Sequence, residues 1–117
     1  MSNHKELIVW QKGIALVKSI YELTKTFPRE ETFGLKSQMQ RAAVSISSNI
    51  AEGYGRIFPK EPINFLNIAL GSAAELETQL IISRELRYVS EVEYTEMSKQ
   101  NNEVIYMLTA LVKSFQK

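Results

Sequence analysis

Few side chains in this sequence have the type and spacing that chemistry requires. The chain has one histidine, His4, no cysteine, and a serine cluster at Ser45, Ser47 and Ser48. A nucleophilic serine needs a neighbouring base, and a di-iron helical bundle needs a Glu-x-x-His motif on each of two helices. The sequence contains neither of these arrangements and no glycine-rich phosphate-binding loop. We therefore predict no catalytic residue, no metal site and no cofactor.

Composition predicts a single globular domain covering residues 1–117. The hydrophobic content is 44%, and 14 basic against 13 acidic residues give a net charge of +1. A dedicated nucleic-acid-binding protein is usually more basic, although a local basic patch can serve the same purpose. The sequence has neither a signal-peptide pattern nor an apolar run long enough to span a membrane. We expect a cytoplasmic protein with no membrane partner.

The stretch RAAVSISSNIAEGYGR, residues 41–56, organises the chain. Most of it lies in a helix predicted from Phe33 to Tyr54, and Gly53 and Gly55 mark the end of that helix. At helical spacing, one side of this helix is apolar and is expected to face the core. The predicted core face consists of Leu35, Met39, Ala42, Ala43, Ile46, Ile50 and Tyr54.

A second stripe of the same helix is polar but has a small, uncharged middle. Its members are Arg41, Ser45, Ser48, Asn49, Glu52 and Arg56. Small side chains let another backbone approach closely, so the stripe is interpreted as a contact surface. Two alternatives stay open: a serine-rich surface with no partner, and a polar pocket of Asn49, Glu52 and Arg56 that would favour an enzyme.

A helix predicted from Lys60 to Arg87 is apolar on most sides, and Pro59 or Pro62 is expected in its first turn. A surface helix needs only one apolar stripe, so the additional apolar surface of this helix predicts a subunit interface. A fully buried central helix is the alternative. Glu75 and Gln79 lie among Ile68, Ile82 and Leu86 on the extra apolar arc. A carboxylate there needs a donor, and Arg41 or Arg56, within or between subunits, is the natural candidate.

Two further helices complete the predicted fold. The first runs from Lys5 to Thr26, with a 3-4-3-4 seam of Leu7, Trp10, Ile14, Val17 and Tyr21. Val9, Leu16, Ile20 and Leu23 widen its apolar face beyond that seam. The last begins after Ser90, which forms a capping box with Glu93, and Asn101 interrupts its apolar stripe. Four amphipathic helices with short links predict an all-α, antiparallel, up-down four-helix bundle.

Basic residues on the first three helices make nucleic-acid binding a second hypothesis. A ring of identical subunits would repeat a few cations per chain into one continuous phosphate-binding patch. The candidates for this role are Lys12, Arg41, Arg56, Lys60, Arg84 and Arg87.

Three segments resemble the bacterial four-helix bundle family of 23S rRNA intervening-sequence proteins, which is related to accessory proteins of diversity-generating retroelements. The segments are VWQKGIALVKSIYELTKTFP (9–28), GLKSQMQRAAVSISSNIAEGYGR (34–56) and FLNIALGSAAELETQL (65–80). The resemblance implies an antiparallel bundle that assembles into a homopentameric ring. In the retroelement relatives a basic surface binds nucleic acid and reverse transcriptase, whereas this chain is nearly neutral.

Eleven positions of this sequence match the family pattern, and the pattern assigns no function to them. They are Arg41, Ser45, Asn49, Glu52, Gly53, Tyr54, Gly55, Arg56, Gly71, Ser72 and Glu75. The sequence therefore favours a non-enzymatic homo-oligomer, with a pentamer expected, that acts as an RNA- or DNA-associated scaffold. The alternative is a protein-interaction ring without nucleic-acid affinity. The interface candidates are Ser45, Ser48, Asn49, Glu52, Ile68, Glu75, Gln79 and Ile82.

Overall fold

The computed structural model describes residues 4–54 and 61–116 of the chain. Four helices account for most of them: α1 (Ile8–Leu23), α2 (Leu35–Tyr54), α3 (Pro62–Glu85) and α4 (Glu91–Phe115). No strand occurs within those two ranges. The predicted all-α class with four helices is therefore confirmed.

The helices pack in a closed sequence of neighbours. Contacts join α1 to α2, α2 to α3, α3 to α4, and α4 back to α1, as a four-helix bundle requires. Buried aliphatic side chains from all four helices meet in one core. The largest of them are Leu16, Ile20, Met39, Ile46, Ile50, Leu66, Leu76, Leu80, Val104 and Leu108.

The predicted core face of α2 is confirmed. Met39, Ala42, Ala43, Ile46 and Ile50 are at most 3% exposed. The other two members of that face, Leu35 and Tyr54, lie at the ends of the helix and are half-buried. Helical periodicity located this face correctly because the helix is regular throughout its length.

The predicted seam of α1 is only partly buried, whereas the residues predicted to widen its apolar face, Val9, Leu16, Ile20 and Leu23, are all buried. The residues that α1 buries are Val9, Gly13, Leu16, Ile20 and Leu23. They include a glycine, which contributes no apolar side chain to the sequence pattern. The predicted seam instead lies on the flank of the buried face, where Ile14 is 37% exposed and Tyr21 44% exposed.

The helix ends also differ from the prediction in several places. The α-helical part of α1 stops at Leu23 and continues as a 3-10 turn, and α2 starts at Leu35, after a 95% exposed Phe33. Gly53 does not adopt a left-handed conformation. Gly53 is buried within α2, and a Cβ added to it would lie 3.4 Å from the Cβ of Phe65. The missing side chain therefore allows α2 to pack closely against α3.

Local signals at other helix ends are confirmed. Pro62 occupies the first turn of α3, and Ser90 and Glu93 form the predicted capping box at the start of α4. Asn101 is 1% exposed, and its amide donates to the Ala73 carbonyl at 2.9 Å, which joins α4 to α3. The predicted ends at Lys60 and Gly55 lie outside the described residues.

Candidate interaction surface

The small polar stripe of α2 contacts α3 of the same chain. The Ser72 hydroxyl donates to the Ser45 hydroxyl at 2.9 Å. Asn49 donates to the same Ser45 oxygen at 3.0 Å and to the Ser45 carbonyl at 2.8 Å. These short side chains let α2 and α3 pack closely, so part of the stripe serves the fold itself.

A polar groove runs along the outside of the α2–α3 contact. Its volume is about 430 Å³, and its lining consists of Gln38, Arg41, Ala42, Ser45, Ser72 and Glu75. Arg41 and Glu75 therefore border one groove. Within residues 4–54 and 61–116 neither side chain forms an ion pair. The predicted partnership of Glu75 with Arg41 is thus not made inside one chain, and Arg56 lies outside the described residues.

The flank of α3 beside this groove is apolar and exposed. Ile68 is 51%, Ile82 41% and Leu86 51% exposed, and Glu75 is exposed between them. In α2, Ser48 and Glu52 are also exposed. We call the surface formed by the groove and this flank the α2–α3 face.

Gln79 differs from the other predicted interface residues on the α2–α3 face. It is only 5% exposed, and its Oε1 has no hydrogen-bond partner within the described ranges. The Oγ of Ser47 and the Oδ1 of Asn101 are also buried and also have no hydrogen-bond partner among the described residues. Gln79 is therefore packed inside its own chain, where little of its surface is available to another molecule.

The basic candidates that the structure describes are spread over several sides of the chain. Lys12 forms an ion pair with Glu103 of α4 at 3.2 Å. Arg84 lies 4.2 Å from the ring centre of Tyr94, also on α4. Arg41 borders the α2–α3 groove, and Arg87 follows the end of α3. They form no single patch on one chain. Arg56 and Lys60 lie outside the described residues.

An apolar groove between α1 and α4 was missed at the sequence level. Its volume is about 450 Å³, and Ile8 and Tyr106, which are 58% and 76% exposed, border it. The rest of the lining consists of Leu7, Val9, Met107, Ala110, Leu111 and Ser114. The consecutive apolar residues at 7–9 are the signal that could have revealed it.

The chemical inventory of the described residues is small. No cluster of three or more histidine, aspartate or glutamate side chains capable of holding a metal ion occurs among them. None of the helices in these ranges has the length and apolar character needed to cross a bilayer. Burial raises the pKa of Tyr54 above its ordinary value.

Comparison with known proteins identifies relatives of this chain and fold. Residues 5–110 match the sequence model of the family described as 23S rRNA-intervening sequence protein. The chain is also similar to the crystal structure of a protein of unknown function from the S23 ribosomal protein family of Bacteroides thetaiotaomicron VPI-5482. The two sequences are 28% identical over 91% of this chain and 96% of that one, with a TM-score of 0.82. A search of curated proteins found no match.

Proposed function

The chain belongs to the 23S rRNA-intervening sequence protein family, and we propose that it is a non-enzymatic, homo-oligomeric scaffold associated with RNA or DNA. Its helices run antiparallel to their neighbours, as the pairing of Gly13 with Ser47 and of Thr24 with Gln40 supports. The assembly is a closed ring, a pentamer in the form that the family resemblance implies. A cytoplasmic location is part of the proposal.

The α2–α3 face carries this proposal. Its three large aliphatic side chains, Ile68, Ile82 and Leu86, remain 41–51% exposed in the single chain. Three exposed aliphatic side chains along one helix flank offer apolar surface that a protein contact can bury. Arg41 and Glu75 are charges of opposite sign beside that surface, and each has no ion-pair partner in the described part of the chain. A second copy supplies both the apolar contact and the missing cation for Glu75.

Assembly explains how a chain with a net charge of +1 can bind nucleic acid. Arg41, Arg84 and Arg87 are too scattered to form a patch on one chain. A symmetric ring repeats each of them around its axis, and phosphate binding depends on that local density rather than on net charge. The family description, which refers to ribosomal RNA, agrees with this interpretation.

The self-association claim is tested by charging the apolar flank. Replacing both Ile68 and Ile82 by Glu is expected to reduce the molar mass in light scattering to that of one chain, with an unchanged far-ultraviolet circular dichroism spectrum. Val92→Glu is the matched control, because Val92 is 79% exposed on α4. Assembly of the double variant at the wild-type mass would contradict the claim.

Nucleic-acid association is tested by titrating labelled structured RNA and duplex DNA at several salt concentrations. The affinity is expected to fall log-linearly with salt, because cations that neutralise phosphates release counterions. Arg41→Gln is expected to reduce the slope of log affinity against log salt concentration by about one for each phosphate contact that the ring loses. Lys99→Gln on α4 is expected to leave this slope unchanged. Absence of binding at the lowest salt would contradict this part of the proposal.

The alternative function is a protein-interaction ring without affinity for nucleic acid. The apolar α1–α4 groove favours it, because Ile8 and Tyr106 are exposed there and the residues that line the groove include no cation. In that case the ring would assemble normally, the salt titration would show no RNA or DNA binding, and the groove would hold an apolar peptide.

A further inference from the structure

We propose that the α2–α3 face of one copy packs against the exposed stripe of α1 in the next copy, so that the subunits associate head to tail. This inference rests on the proposed self-association and goes beyond it by naming the complementary surface. We call that surface the α1 stripe. It consists of Leu7, Trp10, Ile14, Val17 and Tyr21.

The α1 stripe borders the core: Leu7, Trp10 and Val17 pack against its edge, whereas Ile14 and Tyr21 remain exposed. The core takes Val9, Gly13, Leu16, Ile20 and Leu23 from α1. The stripe lies beside them, with Ile14 and Tyr21 37% and 44% exposed and its other members half-buried. Its 3-4-3-4 spacing is the pattern with which one helix packs along another.

Helix α3 has an unused seam with the same spacing. Its members are Ile68, Gly71, Glu75, Thr78 and Ile82, all of them exposed. The two seams have the same length, and their central residues are Ile14 and Glu75. Packing them in either direction therefore places Ile14 opposite Glu75.

Gly71 is an independent observation in favour of a helix partner. It lies in the middle of α3, where glycine is unfavourable compared with alanine. A Cβ at this position would meet nothing within 4 Å in the single chain, so the fold itself gives no reason for a glycine. A helix from another copy would give that reason, because a missing side chain lets two helices approach closely.

The charges of the two seams are complementary. Glu75 is the single ionisable residue of the α3 seam, and it forms no ion pair within the described residues. Lys18 lies one helical turn from Ile14 and is exposed, and it too forms no ion pair there. Lys12, the other lysine near the centre of α1, is already paired with Glu103 of its own chain. Lys18 is therefore the cation that meets Glu75 of the neighbour.

The position of the seams predicts a closed assembly. On α1 the stripe lies on the side of Gly13 and Thr24, which contact α2, and away from Lys12, which contacts α4. On α3 the seam lies on the side of Ser72, which contacts α2. Both contact surfaces thus flank α2. The two surfaces are different and do not face opposite directions, so each added copy is rotated relative to the previous one. Repeating the contact therefore curves the assembly around α2 and closes a ring.

A charge reversal tests the contact between Lys18 and Glu75. Glu75→Lys is expected to weaken the assembly at least tenfold in a dilution series followed by native mass spectrometry. Adding Lys18→Glu to the same chain is expected to restore it, whereas adding Lys99→Glu is not. Restoration by Arg41→Glu alone, or by neither variant, would overturn this inference while leaving self-association intact. A wild-type protein that is monomeric at all concentrations would instead overturn the proposed function.

Cross-linking provides a measurement that does not depend on these charges. The chain contains no cysteine, so engineered thiols report on single positions. Under mild oxidation, the double variant Ile14→Cys/Glu75→Cys is expected to give a ladder of covalent oligomers. A mixture of the two single variants should give dimers only, and each single variant alone should give none. Dimers formed by one single variant alone would indicate a two-fold contact and overturn the head-to-tail arrangement.

Discussion

Gly13 of α1 lies directly against Ser47 of α2: a Cβ added to Gly13 would be 2.6 Å from the Ser47 Oγ. Both residues are buried, and the Ser47 Oγ has no hydrogen-bond partner among the described residues. At this point the packing of α1 against α2 depends on a missing side chain beside a hydroxyl that has no partner among the described residues. This relationship predicts strong coupling between the two positions.

Gly13→Ala alone is expected to lower the free energy of unfolding by about 1–3 kcal/mol, because the new methyl overpacks against the hydroxyl. In a Ser47→Ala background the same change should instead add about 0.5–1 kcal/mol, since alanine favours the helix and the obstructing oxygen is gone. Urea unfolding of the four proteins of this double-mutant cycle measures the coupling. Equal effects of Gly13→Ala in both backgrounds would contradict the contact.

Gly71 gives a prediction that separates folding from assembly. Gly71→Ala is expected to stabilise the isolated chain by about 0.5–1 kcal/mol, because the position is open and helical. This gain is measured in the Ile68→Glu/Ile82→Glu background, which is expected to be monomeric. It should appear there as a higher midpoint of urea unfolding. In the wild-type background Gly71→Leu should dissociate the assembly in light scattering. An intact oligomer of Gly71→Leu would mean that no helix packs over this glycine.

Arg87 ends α3 in a left-handed conformation, with φ of 63°. Its N–H donates to the Arg84 carbonyl and the Tyr88 N–H to the Ser83 carbonyl, each at 2.9 Å, as in a helix end that normally uses glycine. Arg87→Gly is therefore expected to raise the free energy of unfolding by about 1 kcal/mol. Arg87→Ala removes the guanidinium but keeps the Cβ and should give no such gain. Equal stability of the two variants would contradict the strain.

Tyr88 ties the end of α3 to the turn before α2, since its hydroxyl donates to the Glu31 carboxylate at 2.9 Å. This hydrogen bond, with a smaller effect of burial and of nearby carboxylates, raises the pKa of Tyr88 above 10.0. The raised pKa means that the contact stabilises the fold fully below pH 10 and that this contribution is lost as the pH rises through the raised value.

Absorbance titration of the tyrosines checks this assignment. Tyr88→Phe should remove one of the titration steps above pH 10 and leave that of Tyr54, and Glu31→Gln should lower the pKa of the Tyr88 step towards 10.0. Tyr21→Phe is a suitable control, because the Tyr21 side chain is 44% exposed. An unchanged titration curve for Glu31→Gln would contradict the role of the carboxylate.

Sequence patterns located the four helices and the core of α2 because regular amphipathic helices repeat the same spacing for several turns. On α1 they located four of the five buried residues, Val9, Leu16, Ile20 and Leu23, but centred the face one stripe away, on Trp10, Ile14 and Tyr21. Gly13 lies in the buried face but carries no side chain, so it adds nothing to the apolar pattern. Ile14 and Tyr21 of the outer stripe stay exposed in the single chain.

The candidate surface was only partly predictable. Spacing placed Ile68, Glu75 and Ile82 on one flank of α3, and they do lie together. It could not show that Ser45 and Asn49 bond within their own chain, or that Gln79 is buried, because both depend on how closely α2 approaches α3. The Arg41–Glu75 pairing needed the same information, and one chain does not form it.

Ser48 is one helical turn from the groove residue Ser45, at the edge of the α2–α3 face. Sedimentation equilibrium of the wild-type chain beside Ser48→Arg therefore tests self-association through this face. Ser48 is exposed on α2, so a large charged side chain there should leave the fold and its helical content unchanged. We predict five times the 13.4 kDa chain mass for the wild type and a single chain mass for Ser48→Arg. A monomeric wild type, or a Ser48→Arg variant with the wild-type mass, would contradict the account.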